Sequence, residues 1–361
     1  MPPNTQKDKK ARWQVALSII AHEYSFGLEK IRGVIGYYSM HSNWEIRRNK
    51  YSQPFSKLAS LKDWQGDGII GEVYSEEDLQ MVNALDIPFV NTSSSQFARN
   101  IPTVMIDNMG VGRLAGEHLL GLDLDSFLFV GPSDLNFSKE RYGGFCEFLA
   151  ASGNDCHWID YRSSNENRSN ISRASIRPST LMPYLKDIPG RVGVFAATDR
   201  VGYAVLEATH RMGLRTPEDV SVIGVDNDEI YCHLAHTSMT SIDVDCFEIG
   251  FRAAEMLERI MQGETILNNC MRMPPKGIFM RNSTDNVRSA YPEVAQALRF
   301  IRNHADKVID VTSVMDIVPV SRRWLEIKFK EELGHGIYHE IRRVHVERAK
   351  TILAESKTSI S

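Results

Sequence analysis

Between Val15 and Met261 the chain repeats one pattern: a short β-rich apolar run, then an amphipathic helical stretch. The runs are Val15–Ile20, Gly68–Val73, Ile87–Asn91, Thr103–Asp107, Phe127–Gly131, Val192–Thr198 and Val220–Val225. Helical spacing fills the intervals at Phe26–Tyr38, Glu76–Leu85, Val111–Leu120, Lys139–Ala151, Val201–Met212 and Phe247–Met261. Alternation of this kind demands parallel sheets covered by helices. With seven or more strands, two α/β lobes are expected, with the break at Gly121–Ser126. Open α/β sheets bind ligands at the C-terminal ends of their strands, which here means the cleft between the lobes. The dinucleotide fingerprint Gly66-Asp-Gly68-Ile-Ile-Gly71 is a decoy. Its mechanism needs glycines that open a helix, and this match enters a strand.

A second pattern follows the body. In DVTSVMDIVPVSRRWLEIKFKEEL, Asp310 to Leu333, two short helices flank a tight turn. Asp310 and Ser321 are placed to cap them. Leu325, Phe329 and Leu333 recur every four residues, an inward stripe. Ser321, Arg322, Arg323, Glu326 and Lys330 are the residues expected at DNA, as on a helix that lies in a major groove. Val294, Leu298 and Ile301 predict a supporting helix over Pro292–His304 beneath this pair. A plain helical interaction module would share the cap, the stripe and the cationic face.

Charge supports a division of labour. From residue 286 onward 13 Lys+Arg stand against 10 Asp+Glu, net +3, and the remainder holds 29 against 36, net −7. A mildly basic tail on an acidic body suits a DNA-binding module attached to a domain that does not bind DNA. The five cysteines lie scattered without a CxxC pair, which predicts reduced thiols in a cytoplasmic protein, neither zinc nor a disulfide framework. The apolar run after the polar N-terminus is too short for a signal-peptide core or a membrane span.

Polar residues cluster just past strand ends. They are His22, Glu23 and Tyr24 after the first run, then Glu72, Asn91, Asp199, Asp226 and Asn227, with Arg141 early in a helix. Asp107 reads as a helix cap. Carboxylates, an amide and an Arg that converge from both lobes offer paired donors and acceptors to sugar hydroxyls, and Tyr24 or Phe26 offers a ring face. The ligand-binding set is therefore Tyr24, Phe26, Glu72, Asn91, Arg141, Asp199, Asp226 and Asn227. Acidic groups outnumber Arg141, which favours a small neutral polyol. No catalytic residue, cofactor or metal is expected: the eleven histidines are dispersed, and His233 and His236 lack a third ligand in sequence.

These residues carry a family likeness. MIDNMGVGRLAGEHLL, FLFVGPSDLNFSKERYGGF, VFAATDRVGYAVLEATHRMGLRTPEDVSVIGVDND and TSMTSIDVDCFEIGFRAAEMLERIMQG resemble the periplasmic-binding-protein-like domains of the lactose-repressor family. SRRWLEIKFKEELGHGIYHEIRRVHVERAKTIL resembles the arabinose-regulator type of DNA-binding domain, following S-x3-L-x3-F-x4-G … A-x2-[IL]-L. A sugar-binding body ahead of such a tail is similar to the xylose operon regulators, and RNSTD and IRNHA strengthen that match. The implied fold is α/β, a two-lobed body with parallel sheets, followed by an all-α helix-turn-helix domain. The implied division is a polar N-terminal tail (1–13), a regulatory domain (14–281), a linker (282–291) and the DNA-binding domain (292–361).

The resemblance implies a transcription activator responsive to D-xylose or a related pentose. Its partners would be double-stranded DNA, a second copy of the chain as a homodimer, and RNA polymerase if it activates; a membrane is not implied. By position, Arg141, Asp199 and Asp226 match residues that hold sugar hydroxyls, Asn91 a polar contact, and Arg323 and Glu326 the groove-facing part of the first recognition helix. The sequence departs from the pattern at Pro319, where glycine is usual, and at His345, where many relatives have Arg. It also stops at KTSIS, where a second helix-turn-helix unit is expected, so weak DNA binding is expected of this chain alone. Two other classes compete: a solute-binding protein, which needs a signal peptide and no basic tail, and an enzyme, which needs a nucleophile–base pair or metal cluster.

Overall fold

The computed structural model describes residues 12–19, 25–41, 43–47, 57–98, 100–162, 176–186, 188–266, 269–285, 289–305 and 307–355. A first lobe begins with β1 (Trp13–Ser18), α1 (Ser25–His41), β2 (Trp44–Ile46), β3 (Gly68–Gly71), α2 (Glu76–Leu85), β4 (Phe89–Asn91) and β5 (Thr103–Ile106). A second lobe takes α3 (Asn108–Leu120), β6 (Ser126–Val130), α4 (Asn136–Ala151), β7 (Cys156–Ile159) and α5 (Pro178–Lys186). It continues through β8 (Val192–Ala196), α6 (Asp199–Arg211), β9 (Val220–Val225), α7 (Glu229–Leu234) and β10 (Thr240–Asp243). The chain then returns to the first lobe for α8 (Cys246–Met261) and β11 (Cys270–Met273), and to the second for β12 (Gly277–Phe279).

Each lobe is a six-stranded sheet, in order β11-β5-β4-β3-β1-β2 and β12-β10-β9-β8-β6-β7. Among the described residues every pairing is parallel except β10 with β12. Parallel sheets sit between helices, so their strands are apolar throughout: every residue of β8 and β9 is buried. The GxGxxG match does enter a strand, β3, rather than a helix.

The crossing between lobes differs from expectation. Gly121–Ser126 lies inside the second lobe, because α3 packs chiefly on α4 and also on β8 of that lobe. The chain crosses instead at Asp107, again at Val244–Asp245, and a third time at residues 274–276. Asp107 N–H donates to the Met273 carbonyl at 2.8 Å and Lys276 N–H to the Asp243 carbonyl at 2.8 Å, which ties the three passages together. The cysteine expectation is also corrected. The end of α4 and the start of β7 bring Cys146 and Cys156 to a Cα–Cα distance of 5.9 Å, and they form a disulfide.

Two helix pairs hold each lobe's contribution to the cleft. In α1 and α8 a Cβ on Gly250 would lie 1.9 Å from the Lys30 carbonyl oxygen; in α3 and α4 a Cβ on Gly112 would lie 2.1 Å from that of Arg141. Only glycine permits such approach, and each crossing fixes the backbone of a cation that faces the cleft. Beyond the body, α9 (Pro292–Asn303), α10 (Val311–Met315), α11 (Arg322–Leu333) and α12 (Ile337–Glu355) form the tail. Val294, Leu298 and Ile301 of α9 share one core with Val314, Leu325, Phe329 and Ile341, as the spacing predicted. Asp310 and Ser321 cap α10 and α11 by accepting from the N–H of Ser313 and Trp324. Residues 282–285, placed in the linker by sequence, pack into the second lobe: Asn282–Thr284 form a 3-10 turn in which Ser283 and Thr284 are buried. No helix among the described residues is long and apolar enough to cross a membrane.

Candidate functional site

Between the lobes lies a cavity of about 280 Å³, lined by residues just past the C-terminal ends of β3, β4, β6, β7, β8 and β9 and by the facing turns of α1 and α4. The first lobe supplies Phe26, Lys30, Tyr74 and the segment Thr92–Phe97; the second supplies Asp134–Phe137, Arg141, Tyr161, Arg162, Thr198–Val201, Asp226, Asp228 and Tyr231. Arg141, Asp199, Asp226 and Phe26 therefore meet at one cavity.

Arg141 is only 2% exposed. Its Nε donates to Asn108 Oδ1 at 2.9 Å, an Nη donates to the Ala197 carbonyl, and the guanidinium stands 5.1 Å from the Phe137 ring centroid. Asp226 Oδ1 lies 3.9 Å from its other Nη. Burial lifts the Asp226 carboxyl to about 6, against the pull of Arg141. Burial also lowers Arg141 from its usual range, opposed by Asp226. A loosely paired cation and carboxylate of this kind can each give a polar ligand a charge-assisted hydrogen bond.

Asp199 is more inward than expected. At the first turn of α6 its Oδ1 accepts from Ser241 Oγ at 2.6 Å and its Oδ2 from Asp228 N–H at 2.7 Å. Burial, and next the charge of Asp226, raises its carboxyl well above the carboxylate range. It edges the cavity while it organises the loop after β9.

Four of the residues named from sequence are turned elsewhere. Asn91 is fully buried and folds back on its own turn, accepting from the N–H groups of Val73 and Ser93 and donating to the Ser93 carbonyl and Thr103 Oγ1. Glu72 sits behind the cavity wall, where its Oε1 accepts from Lys30 Nζ at 2.8 Å. Asn227 points out of the cavity toward Arg281. In the tail, Glu326 reaches from α11 to accept from Ile337 N–H at 3.3 Å, at the start of α12, so it braces two helices. Ser321 at the cap and Arg322, Arg323 and Lys330 on α11 remain exposed. Tyr24, with His22 and Glu23, lies outside the described residues.

Lys30 was missed. It is 4% exposed, donates to Glu72 and to the Thr92 carbonyl at 2.9 Å, and stands 5.3 Å from the Phe26 ring centroid. The signal was available: a lysine one turn from Phe26 and one turn before Val34, on the face of α1 that otherwise packs inward. The lobes also touch around the cavity. Asn136 Nδ2 donates to the Ser94 carbonyl at 3.0 Å, Asn108 Nδ2 to Ser94 Oγ at 3.1 Å, and Arg272 pairs with Glu140 at 3.2 Å.

Fold and cleft together define a two-lobed, periplasmic-binding-protein-like body followed by an all-α tail, and residues 116–284 match the periplasmic binding protein-like domain. Over 313 residues the chain is 30% identical to the xylose operon regulatory protein of Escherichia coli (strain K12), spanning 85% of this chain and 79% of that protein. The protein of that name from Haemophilus influenzae is 29% identical over 301 residues, 81% of this chain and 76% of that one. The chain belongs to the xylose operon regulatory protein family. Among solved structures, that of a xylose-binding transcription activator superposes with a TM-score of 0.66 at 26% identity, over 95% of this chain and 88% of that one. A cellobiose complex of the regulator CelR matches at 23% identity and a TM-score of 0.58, over 75% and 84%, and shows the shared fold alone.

Proposed function

We propose that this protein is a sugar-responsive transcription regulator: its cleft takes D-xylose or a related pentose, and α11 of its tail is presented to double-stranded DNA by a homodimer. The observation that carries the reading is the joint placement of Arg141, Asp226 and Lys30 with Phe26 and Phe137 at one cavity, in a chain that also holds a capped helix pair with an exposed cationic face. Lys30 is matched by Glu72, Arg162 by Asp134 at 2.7 Å, and Arg141 faces Asp226. Those pairings favour a neutral ligand with several hydroxyls over an anion. Aromatic faces suit the apolar C–H side of a sugar ring.

Ligand binding favours closure only so far as the closed cleft holds it more tightly than the open one. The contacts from Asn136, Asn108 and Arg272 across the cleft are the groups whose geometry closure would change. A solute-binding protein with the same lobes would leave the tail unexplained. The DNA half of the reading is tested by fluorescence anisotropy on operator-containing and unrelated duplexes. Arg323→Ala should lose about 1–3 kcal/mol on the preferred sequence, as expected of a bidentate base contact. An equal loss on every duplex would instead make Arg323 a phosphate contact.

A further inference from the structure

Hydrogen bonds and short backbone steps link the cleft to the tail, and the Arg281 side chain lies on that path. Past the end of β9, Asp226 and Asn227 take φ of 105° and 49°. Positive φ is uncommon outside glycine, and two such residues in succession make a sharply defined turn, which Asp and Asn tolerate better than most. Asp226 lines the cavity, whereas Asn227 turns away from it. Asn227 Oδ1 accepts from Arg281 Nη2 at 2.8 Å, and its backbone N–H donates to Ser241 Oγ at 3.0 Å. Arg281 also donates to the Met239 carbonyl at 3.1 Å and, through its backbone, to Thr240 Oγ1 at 2.8 Å.

Directly after Arg281 comes the 3-10 turn Asn282–Thr284. Thr240 N–H donates to Ser283 Oγ at 2.8 Å, and Thr284 Oγ1 donates to Thr240 Oγ1 at 2.8 Å. Asp285, only 5% exposed, then accepts from Arg302 of α9 at 2.8 Å. Successive residues of a strand face opposite sides. On β10, Ser241 accordingly serves Asp199 and Asn227 while Thr240 serves the turn that leads into the tail.

We propose that Arg281 is a positioning residue that couples occupancy of the cleft to the seat of the DNA-binding tail. The inference rests on the reading of Asp226 as a ligand contact. A sugar hydroxyl bonded to Asp226 biases the strained 226–227 backbone, Asn227 carries that bias to Arg281, and the turn with Asp285 carries it to α9. An arginine that merely stitched the turn to the lobe would affect stability but not the tail's response to sugar.

Hydrogen–deuterium exchange of the whole chain, with and without saturating D-xylose, separates the two roles, with calorimetry reporting sugar binding alongside. In the wild type, D-xylose should change exchange across residues 281–303. Arg281→Met should keep D-xylose affinity within about threefold, below the usual range of site-to-site coupling, and lose that change. Asp285→Ala, which cuts only the last link, should keep the change in the 3-10 turn and lose it in α9; it carries the test if Arg281→Met fails to fold. A wild-type response of α9 in either variant overturns the coupling, as does a wild type that binds sugar without any change at 281–303. A wild type that gives no heat with D-xylose overturns the cleft reading itself, and the coupling with it.

Discussion

At Asp226 the cost of burial exceeds the attraction of Arg141, and the carboxyl rises from 3.8 to about 6. The folded state thus takes up a proton more readily than the unfolded chain between those values. A group raised in this way lowers folding stability as pH climbs through the window, and the full penalty is present above about 6. Asp226→Asn removes the titration. Its melting temperature relative to the wild type should therefore increase from pH 4 to pH 6 and then level off, a gain on the order of 2–3 kcal/mol at neutral pH. A difference that stays flat across the window would show that Asp226 does not titrate there. Residues of this kind were legible because they follow strand ends, where the fold class alone predicts a ligand. Asn91, Glu72 and Asn227 also lie at or past strand ends, yet each turns away from the cavity to satisfy backbone or cationic partners. Sequence places a side chain on a loop but does not give its rotamer, and that separates them from Arg141.

Among the elements, the helix pairs α1–α8 and α3–α4 place the two cleft cations. Each pair crosses at a glycine whose missing side chain admits the partner's backbone: Gly250 against Lys30 and Gly112 against Arg141. Gly112→Ala would put a methyl 2.1 Å from the Arg141 carbonyl oxygen, so α3 and α4 must separate. Overpacking of that sort costs about 1–3 kcal/mol, read as a lower urea midpoint, and the shift of Arg141 should weaken sugar binding as well. Wild-type stability and affinity together would mean that the helices have room the structure does not provide. The strands and helices themselves were largely legible, since period and length identify them. The crossing points were not, because α3 follows β5 in sequence yet belongs to the other lobe, and no local pattern marks such a transfer. Nor did spacing reveal the Cys146–Cys156 disulfide, which depends on where α4 delivers its end.

For the whole molecule, the body and the tail hold separate cores: Phe329 is fully buried among tail residues only. Phe329→Ala should cost about 3–5 kcal/mol and melt the tail ahead of the body, seen in calorimetry as a second, lower transition while D-xylose still raises the upper one. One cooperative transition, lowered as a unit, would instead mean that the ion pairs Arg299–Glu218 and Arg302–Asp285 fuse tail and body into one folding unit.

The account turns on the cleft between Arg141 and Asp226 as a seat for a neutral sugar, and isothermal titration with D-xylose addresses it most directly. It predicts saturable binding at one site per chain. It also predicts that Arg141→Lys, which keeps the charge but loses the planar fork, weakens that binding by about 1–3 kcal/mol. Equal affinity in Arg141→Lys, or no heat from any pentose, would contradict it.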